Sequence, residues 1–326
     1  MNGTAMPRIT AQCVAAGLLA AALIAHAQNY PAKPVRIVVG FAAGGPTDVV
    51  GRLLSQKLTE KWGQPVVVEP RTGAGGNIAA EFVARSPADG YTLLVPAFAH
   101  AVNPSLYPNL PFDTEKDFVP VGLLTTSANL LAVHPSVPAR NLRELIALAK
   151  ARPGQLTYGS AGVASASHLA GELLNSMAGI KITHIPYKGA APASVDLVGG
   201  HISAAFPSIS LAAEHARAGR LRLIGIAALK RADSLPDVPT LAEAGVPGFE
   251  VLSWYGLLAP AGTPRAILQR LNEEAAKILD DSDTRERFAA DGIEPRKSSP
   301  EEFAAFIARD IERWAKVVAA TGLRAD

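Results

Sequence analysis

Val35-Arg36-Ile37-Val38-Val39-Gly40-Phe41-Ala42-Ala43-Gly44-Gly45-Pro46-Thr47-Asp48 decides how this chain is read. An apolar run of strand length ends in a glycine-rich turn that opens directly into a helix. The free N–H groups at the start of that helix face whatever lies beyond the strand's carboxyl end. Unsatisfied donors and the helix dipole both favour negative charge there. A second version of the pattern, Leu156-Thr157-Tyr158-Gly159-Ser160-Ala161-Gly162-Val163-Ala164-Ser165, occurs in the middle of the chain. Two such rims, one on each of two lobes, make a clamp for an anion.

Outward from the first rim, Val35–Gly40, Val66–Glu69 and Tyr91–Val95 read as short buried strands, with helical patterns at 47–61 and 76–85 between them. Val50, Leu53, Leu54 and Leu58 recur at helical spacing. This alternation predicts a parallel, doubly wound sheet whose ligand sits beyond the strand ends. From Leu130 it starts again: strands at 130–133, 156–159, 182–185, 202–206 and 221–227, helices at 141–151, 166–177, 190–198 and 208–218. Residues 230–250 are loop-rich, and Val251–Leu258 reads as a strand returning to the first lobe. One closing helix opens at Thr263-Pro264. The other opens at Ser299-Pro300-Glu301-Glu302, a capping box with proline at the first helical position. The fold class expected is α/β: two doubly wound lobes joined by two crossings, near 126–129 and 250–253. Lobe one takes residues 28–127 plus 251–326, and lobe two takes 128–250.

The start of the chain reads as an address. Arg8 precedes an apolar run from Val14 to Ala25, too short to span a bilayer, and Ala25-His26-Ala27 supplies a small-x-small cleavage pattern. A signal peptide of residues 1–27 is expected, with the mature chain beginning at Gln28. Losing Arg8 and no carboxylate lowers the formal charge from +2 to +1. The single cysteine, Cys13, leaves with it, which removes disulfides and thiol chemistry. A near-neutral chain with 48% hydrophobic residues shows no basic stripe for nucleic acid. The histidines show no metal-ligand spacing, so neither metal nor cofactor is expected.

An ordered set of short motifs resembles one known family. It comprises Tyr30-Pro31-x-Lys33-Pro34-Val35-Arg36, the Gly44-Gly45-Pro46-Thr47-Asp48 turn, Gly73-Ala74-Gly75-Gly76-Asn77-Ile78 and Asp89-Gly90-Tyr91-Thr92-Leu93. Asp117-Phe118-x-Pro120-Val121, Pro186-Tyr187-Lys188-Gly189 and Leu235-Pro236-Asp237-Val238-Pro239-Thr240 follow, then Trp254 with Ala259-Pro260-Ala261-Gly262-Thr263-Pro264. Together these resemble the tripartite tricarboxylate transporter receptors, or Bug-type periplasmic solute-binding proteins, across essentially the whole mature chain. The resemblance implies a type II-like Venus-flytrap fold, a periplasmic location, and capture of a small organic anion for inner-membrane permease subunits. It also implies that a carboxylate is held by backbone amides, hydroxyls and ordered water without an arginine clamp. Neither rim contains an arginine, and Arg71 stands just ahead of the second lobe-one loop. Two positions depart from the family pattern. Ala42-Ala43 replace a Pro-Pro pair, and Ala164 replaces a glycine, which matters if that residue needs positive φ.

The candidate ligand-binding residues are Phe41, Gly44, Gly45, Thr47 and Asp48 on the first rim, with Asp48 expected to order the loop or a bridging water. Without the resemblance, the same residues describe an ordinary strand-to-helix turn with Thr47 or Asp48 as N-cap. Gly73, Ala74, Gly75 and Asn77 form a second lobe-one loop. It is no dinucleotide fingerprint, because Ile78 stands where the third glycine belongs. On lobe two the candidates are Ser160, Ser165, Tyr187, Lys188 and Phe206, whose serines also suit a self-capped helix start. Phe98, His100 and His168 are lesser candidates.

No catalytic residue is assigned. The nucleophile-elbow pattern is absent, since Ser160 stands one residue too early in Gly159-Ser160-Ala161-Gly162. A hydrolase using Ser160 and an orphan sensor feeding a signalling partner are the alternatives to a transport receptor. The protein is expected to be monomeric and to bind no nucleic acid.

Overall fold

The computed structural model describes residues 30–290 and 292–323. The expected signal peptide and its cleavage site lie outside the described residues.

Eleven strands among the described residues form two sheets. The first contains β1 (Val35–Val39), β2 (Val66–Pro70), β3 (Thr92–Val95), β4 (Phe118–Ala128), β10 (Leu252–Pro260) and β11 (Ile293–Pro295). Their order across the sheet is β11-β4-β10-β3-β1-β2. The second contains β5 (Leu130–Val133), β6 (Thr157–Ser160), β7 (Thr183–Pro186), β8 (Ala204–Ala205) and β9 (Arg222–Ile226), in the order β7-β6-β8-β5-β9.

The first sheet is parallel only where β2, β1 and β3 lie together. These are the three strands for which the sequence predicts parallel pairing, while β4, β10 and β11 join through antiparallel ladders. The chain leaves along β4 and returns along β10, and two neighbours running opposite ways must pair antiparallel, as they do from Leu252↔Ala128 to Pro260↔Phe118. In the second sheet β6 is parallel to β7 and β8, while β5 is antiparallel to β8 and β9.

The two ladders meet at one place. Leu130 pairs with Ile226 on one side of it, and Leu252 with Ala128 on the other. Between them the Ala227 N–H donates to Asn129 O at 2.8 Å and the Val251 N–H donates to Ala227 O at 2.9 Å. Backbone pairing therefore runs without a break from one sheet to the other, through single residues of three chain segments.

Alternation along the strands distributes the core. Ile37 and Val39 face α1 (Pro46–Trp62) and α8 (Arg265–Asp280), while Val38 faces α2 (Asn77–Ala84) and α3 (Ala99–Leu106). In the second sheet Leu131 and Val133 join α4 (Leu142–Ala151) and α5 (Ala166–Ala178). Leu130 and Ala132 join α6 (Ala190–Val198) and α7 (Ile209–Arg217) on the other face. Both faces of each sheet are covered, as double winding requires. The last helix, α10 (Pro300–Thr321), starts with the predicted capping box and packs on α3, β4 and α5. Four of these elements had no forecast from the sequence: α3, β4, α9 (Ser282–Ala290) and β11. Of these, α9 buries only Thr284 and Phe288, too little for a readable apolar stripe.

Candidate functional site

Three helices start just beyond β1, β2 and β3, and none has a capping side chain. For α1 the N-cap is Gly45, earlier than the Thr47 or Asp48 expected, with Pro46 at the first helical position. The first-turn N–H groups of Thr47 and Asp48 consequently have neither an intrahelical acceptor nor a cap. Thr47 and Asp48 themselves are buried, 4% and 2% exposed. The Asp48 carboxylate Oδ2 accepts from Gly44 N–H at 3.0 Å and from Arg52 Nε at 2.7 Å. Burial pushes this carboxyl up, yet the Arg52 and Gly44 hydrogen bonds outweigh it and hold it below the ordinary value. Asp48 thus orders the first turn from behind. Gly44, at φ +82°, has open space where a side chain would point, and Phe41 is half-buried.

The second loop is left-handed through four successive residues: Gly73, Ala74, Gly75 and Gly76 have φ of 129°, 48°, 62° and 90°. Glycine suits three of them because it carries no Cβ to collide with the following carbonyl. The loop packs on the first turn. A Cβ on Gly76 would touch the Phe41 ring at 3.4 Å. Asn77, 6% exposed, accepts from Asn103 Nδ2 on α3 at 2.6 Å. Asn103 also donates to Gly75 O at 3.0 Å. The sequence offered no signal for Asn103, a mid-helix asparagine 26 residues away. Gly40, Phe41, Gly76, Asn77, His100 and Asn103 line one small cavity beyond the ends of β1 and β3. Arg71 is turned elsewhere, onto Glu69 at 2.6 Å and over the Phe82 ring at 3.5 Å.

On the second sheet the loop after β6 is held by its own side chains. Ser165 caps α5 by accepting from His168 N–H at 3.2 Å, and its hydroxyl donates to Gly162 O at 2.6 Å. Ser167 Oγ accepts from Ala161 N–H at 2.9 Å. Ala164 has φ +65° at 0% exposure, so the position where the family pattern has glycine does require the left-handed region. Its N–H donates to His168 Nδ1 at 3.3 Å. Ser160 is 1% exposed, and its Oγ accepts from Gly162 N–H at 3.1 Å and lies 2.6 Å from His184 Nε2. The sequence reading considered His184 only as a metal ligand and missed this pair, which joins two neighbouring parallel strands. His184 stacks on His168 with ring centres 4.1 Å apart. Burial drives His168 down to about 3, helped by the neighbouring His184, and drives His184 down to about 4. Both rings are neutral at ordinary pH. The first-turn N–H groups of Ala166 and Ser167 remain uncapped, as on α1.

Tyr187 is half-buried and donates its hydroxyl to Asp196 Oδ2 at 2.7 Å, inside its own lobe. Lys188 is exposed. Phe206 is 3% exposed, and its carbonyl accepts from Asn129 Nδ2 at 2.8 Å beside the crossing. Among the described residues no group of three metal-ligating side chains occurs, and no helix is long and apolar enough to cross a membrane. What both turns present is neutral: backbone donors at helix starts, backed by buried side chains that shape the loops.

Residues 50–323 match the model of the tripartite tricarboxylate transporter family receptor. Protein BugT of Bordetella pertussis is 39% identical over 326 residues, covering 99% of each chain. Among solved structures, an R. palustris protein with adipate superposes with a TM-score of 0.85 at 38% identity, covering 90% of this chain and 99% of that one. MatC from Rhodopseudomonas palustris with bound malate superposes with a TM-score of 0.81 at 37% identity, covering 89% and 100%.

Proposed function

The chain belongs to the tripartite tricarboxylate transporter receptor family, and we propose that it captures a small carboxylate-bearing solute in the periplasm between two lobes and delivers it to inner-membrane permease subunits. The observation that carries this reading is a pair of helix starts, uncapped on α1 and capped only at His168 on α5, that each leave two first-turn N–H groups free. Thr47 and Asp48 on α1, and Ala166 and Ser167 on α5, offer N–H groups beyond a strand end of each sheet. A carboxylate that accepts these bonds is stabilised by charge-assisted hydrogen bonding without a cationic side chain. The adipate and malate held by the two solved relatives are both carboxylates.

In this reading the lobes are residues 28–127 plus 251–326 and residues 128–250. They swing about Asn129 and Val251, where backbone pairing crosses by single residues. Closure follows from the solute binding the closed form more tightly than the open one. The contacts come from the first rim (Phe41, Gly44, Gly45, Thr47 and the Asp48 N–H), the second loop (Gly73, Ala74, Gly75) and the lobe-two rim (Ser165, Lys188 and the N–H groups of Ala166 and Ser167). The side chains of Asp48, Asn77, Ser160, Tyr187 and Phe206 hold those loops in shape from behind. The protein acts as a monomer, exported by residues 1–27.

A hydrolytic reading draws on one observation, the 2.6 Å contact between Ser160 and His184. Against it, Ser160 is 1% exposed, and among the described residues no carboxylate orients the His184 ring. A nucleophile needs both access and an oriented base. The protein is a binder and not an enzyme.

A thermal-shift screen of the mature protein against di- and tricarboxylates, amino acids and aromatic carboxylates tests the proposal, because a saturating ligand raises apparent stability by mass action. One carboxylate should raise Tm and then titrate by calorimetry at one per chain without turnover. Ester or amide turnover lost in Ser160→Ala would overturn it, as would a panel with no hit. Recovery of permease subunits on the immobilised, solute-loaded protein separates a transport role from a sensory one.

A further inference from the structure

Asn77, His100 and Asn103 come from different turns of α2 and α3, yet all three line the small cavity beyond β1 and β3. They are 6%, 6% and 2% exposed. Each carries one buried atom with no protein partner: Asn77 Nδ2, His100 Nε2 and Asn103 Oδ1. Three residues that line one space and each leave a buried polar atom unpartnered are costly unless something satisfies those atoms.

The neighbours fix which of these atoms donate. Asn103 faces Gly75 O at 3.0 Å, and a carbonyl only accepts, so Asn103 presents its amide nitrogen to Gly75 and leaves its oxygen free. The same nitrogen reaches Asn77 Oδ1 at 2.6 Å, which leaves the Asn77 amide nitrogen free. The backbone of Thr114 beside His100 favours the protonated ring, as a carbonyl facing a ring N–H does, and we assign the ring proton to that side. Its partner-free Nε2 therefore carries a lone pair. The cavity presents two acceptors and one donor.

That set selects its occupant. A carboxylate oxygen only accepts, and it would meet two acceptors. An ammonium only donates, and it would leave Asn77 unsatisfied. A water molecule donates twice and accepts once. The cavity, about 20 Å³, has room for about one.

We propose that this cavity is a built site for a single ordered water, which donates to His100 Nε2 and Asn103 Oδ1 and accepts from Asn77 Nδ2. With Asn103, the water fastens the left-handed turn 73–76 to α3. Both of its hydrogens are engaged by protein, so it does not bridge to an anionic solute. It holds the cleft floor neutral and keeps a carboxylate out of the recess. The site is independent of which solute the protein carries.

A crystal structure of the solute-free mature protein tests this directly. One water should lie within about 3.2 Å of all three atoms; density for an anion there, or an empty cavity, overturns the proposal. His100→Gln retains a carbonyl acceptor and should keep the water, whereas His100→Phe should lose it. Amide hydrogen exchange at residues 73–77 should then accelerate about tenfold or more in His100→Phe and stay near wild type in His100→Gln, with the second sheet unchanged in both. Equal exchange in the two variants would mean that the water does not fasten the turn. If His100→Phe fails to fold, the wild-type density still decides.

Discussion

The main chain of Gly40, at the end of β1, lies directly against that of Gly76, where α2 begins: a Cβ on Gly40 would sit 2.7 Å from Gly76 Cα. Two glycines 36 residues apart in sequence are therefore one feature in space. Gly40 is glycine because Gly76 is there, whereas Gly76 is held to glycine by its φ of +90°, and the contact sets how closely the two loops of the first sheet approach.

Gly40→Ala should separate these loops. The atom in the way is backbone, which cannot swing aside as a side chain can, so the expected cost is about 1–3 kcal/mol. Urea unfolding should show that loss, with weaker carboxylate binding in calorimetry. Unchanged stability would mean that the loops part freely.

Gly44→Val tests the first rim. The site is open, so no clash arises, but φ of +82° strains any residue with a Cβ, by about 1–2 kcal/mol. We expect a fall in Tm of a few degrees and at least a tenfold loss of affinity for the best carboxylate of the screen. Parent-like binding would remove the first rim from the site.

Ala164→Gly should do the reverse on the second sheet. Relief of strain at φ +65° is offset in part by glycine's extra freedom in the unfolded chain, which leaves a net gain of up to about 1 kcal/mol. Thermal melts of the two proteins give the sign. A loss would show that the Ala164 methyl, buried at 0% exposure, contributes more by packing than its backbone costs.

His100, His168 and His184 predict an acid-sensitive fold. Burial holds them at about 4, 3 and 4, below the ordinary value of 6.5. Between 6.5 and those values the unfolded chain takes up protons that the fold refuses, so stability falls as pH drops through that window. For fully buried His100 the slope is about 1.4 kcal/mol per pH unit. Unfolding free energies measured from pH 7 to pH 4 should decline, and less steeply in His100→Gln. A flat profile would show that these rings protonate freely in the fold.

Asp310 on α10 accepts from Trp254 Nε1 at 2.7 Å and from Trp314 Nε1 at 3.0 Å. In Asp310→Asn one acceptor becomes a donor facing an indole N–H, which should cost about 1 kcal/mol or more. Burial raises the Asp310 carboxyl. The advantage of aspartate is therefore largest in acid and narrows as pH rises through that raised value. Denaturant unfolding of both proteins at two pH values checks the sign.

Local signals are legible in the sequence alone. The β1 run, the helix start at Pro46, the capping box at Ser299 and the alternation of strands with helices are statements about neighbours in sequence, where hydrophobic period and capping chemistry act. They determined the fold class, and the ordered motifs determined the family. Tertiary structure decided what each candidate side chain does. Ser160 turned inward to His184, Tyr187 to Asp196, and Asn77 met Asn103, because burial leaves a polar group only the partners that other segments bring to it. The sequence predicts that the chain crosses and returns, but the antiparallel register of β10 on β4 and the meeting of Asn129, Ala227 and Val251 depend on pairings between separate segments, which no local pattern encodes.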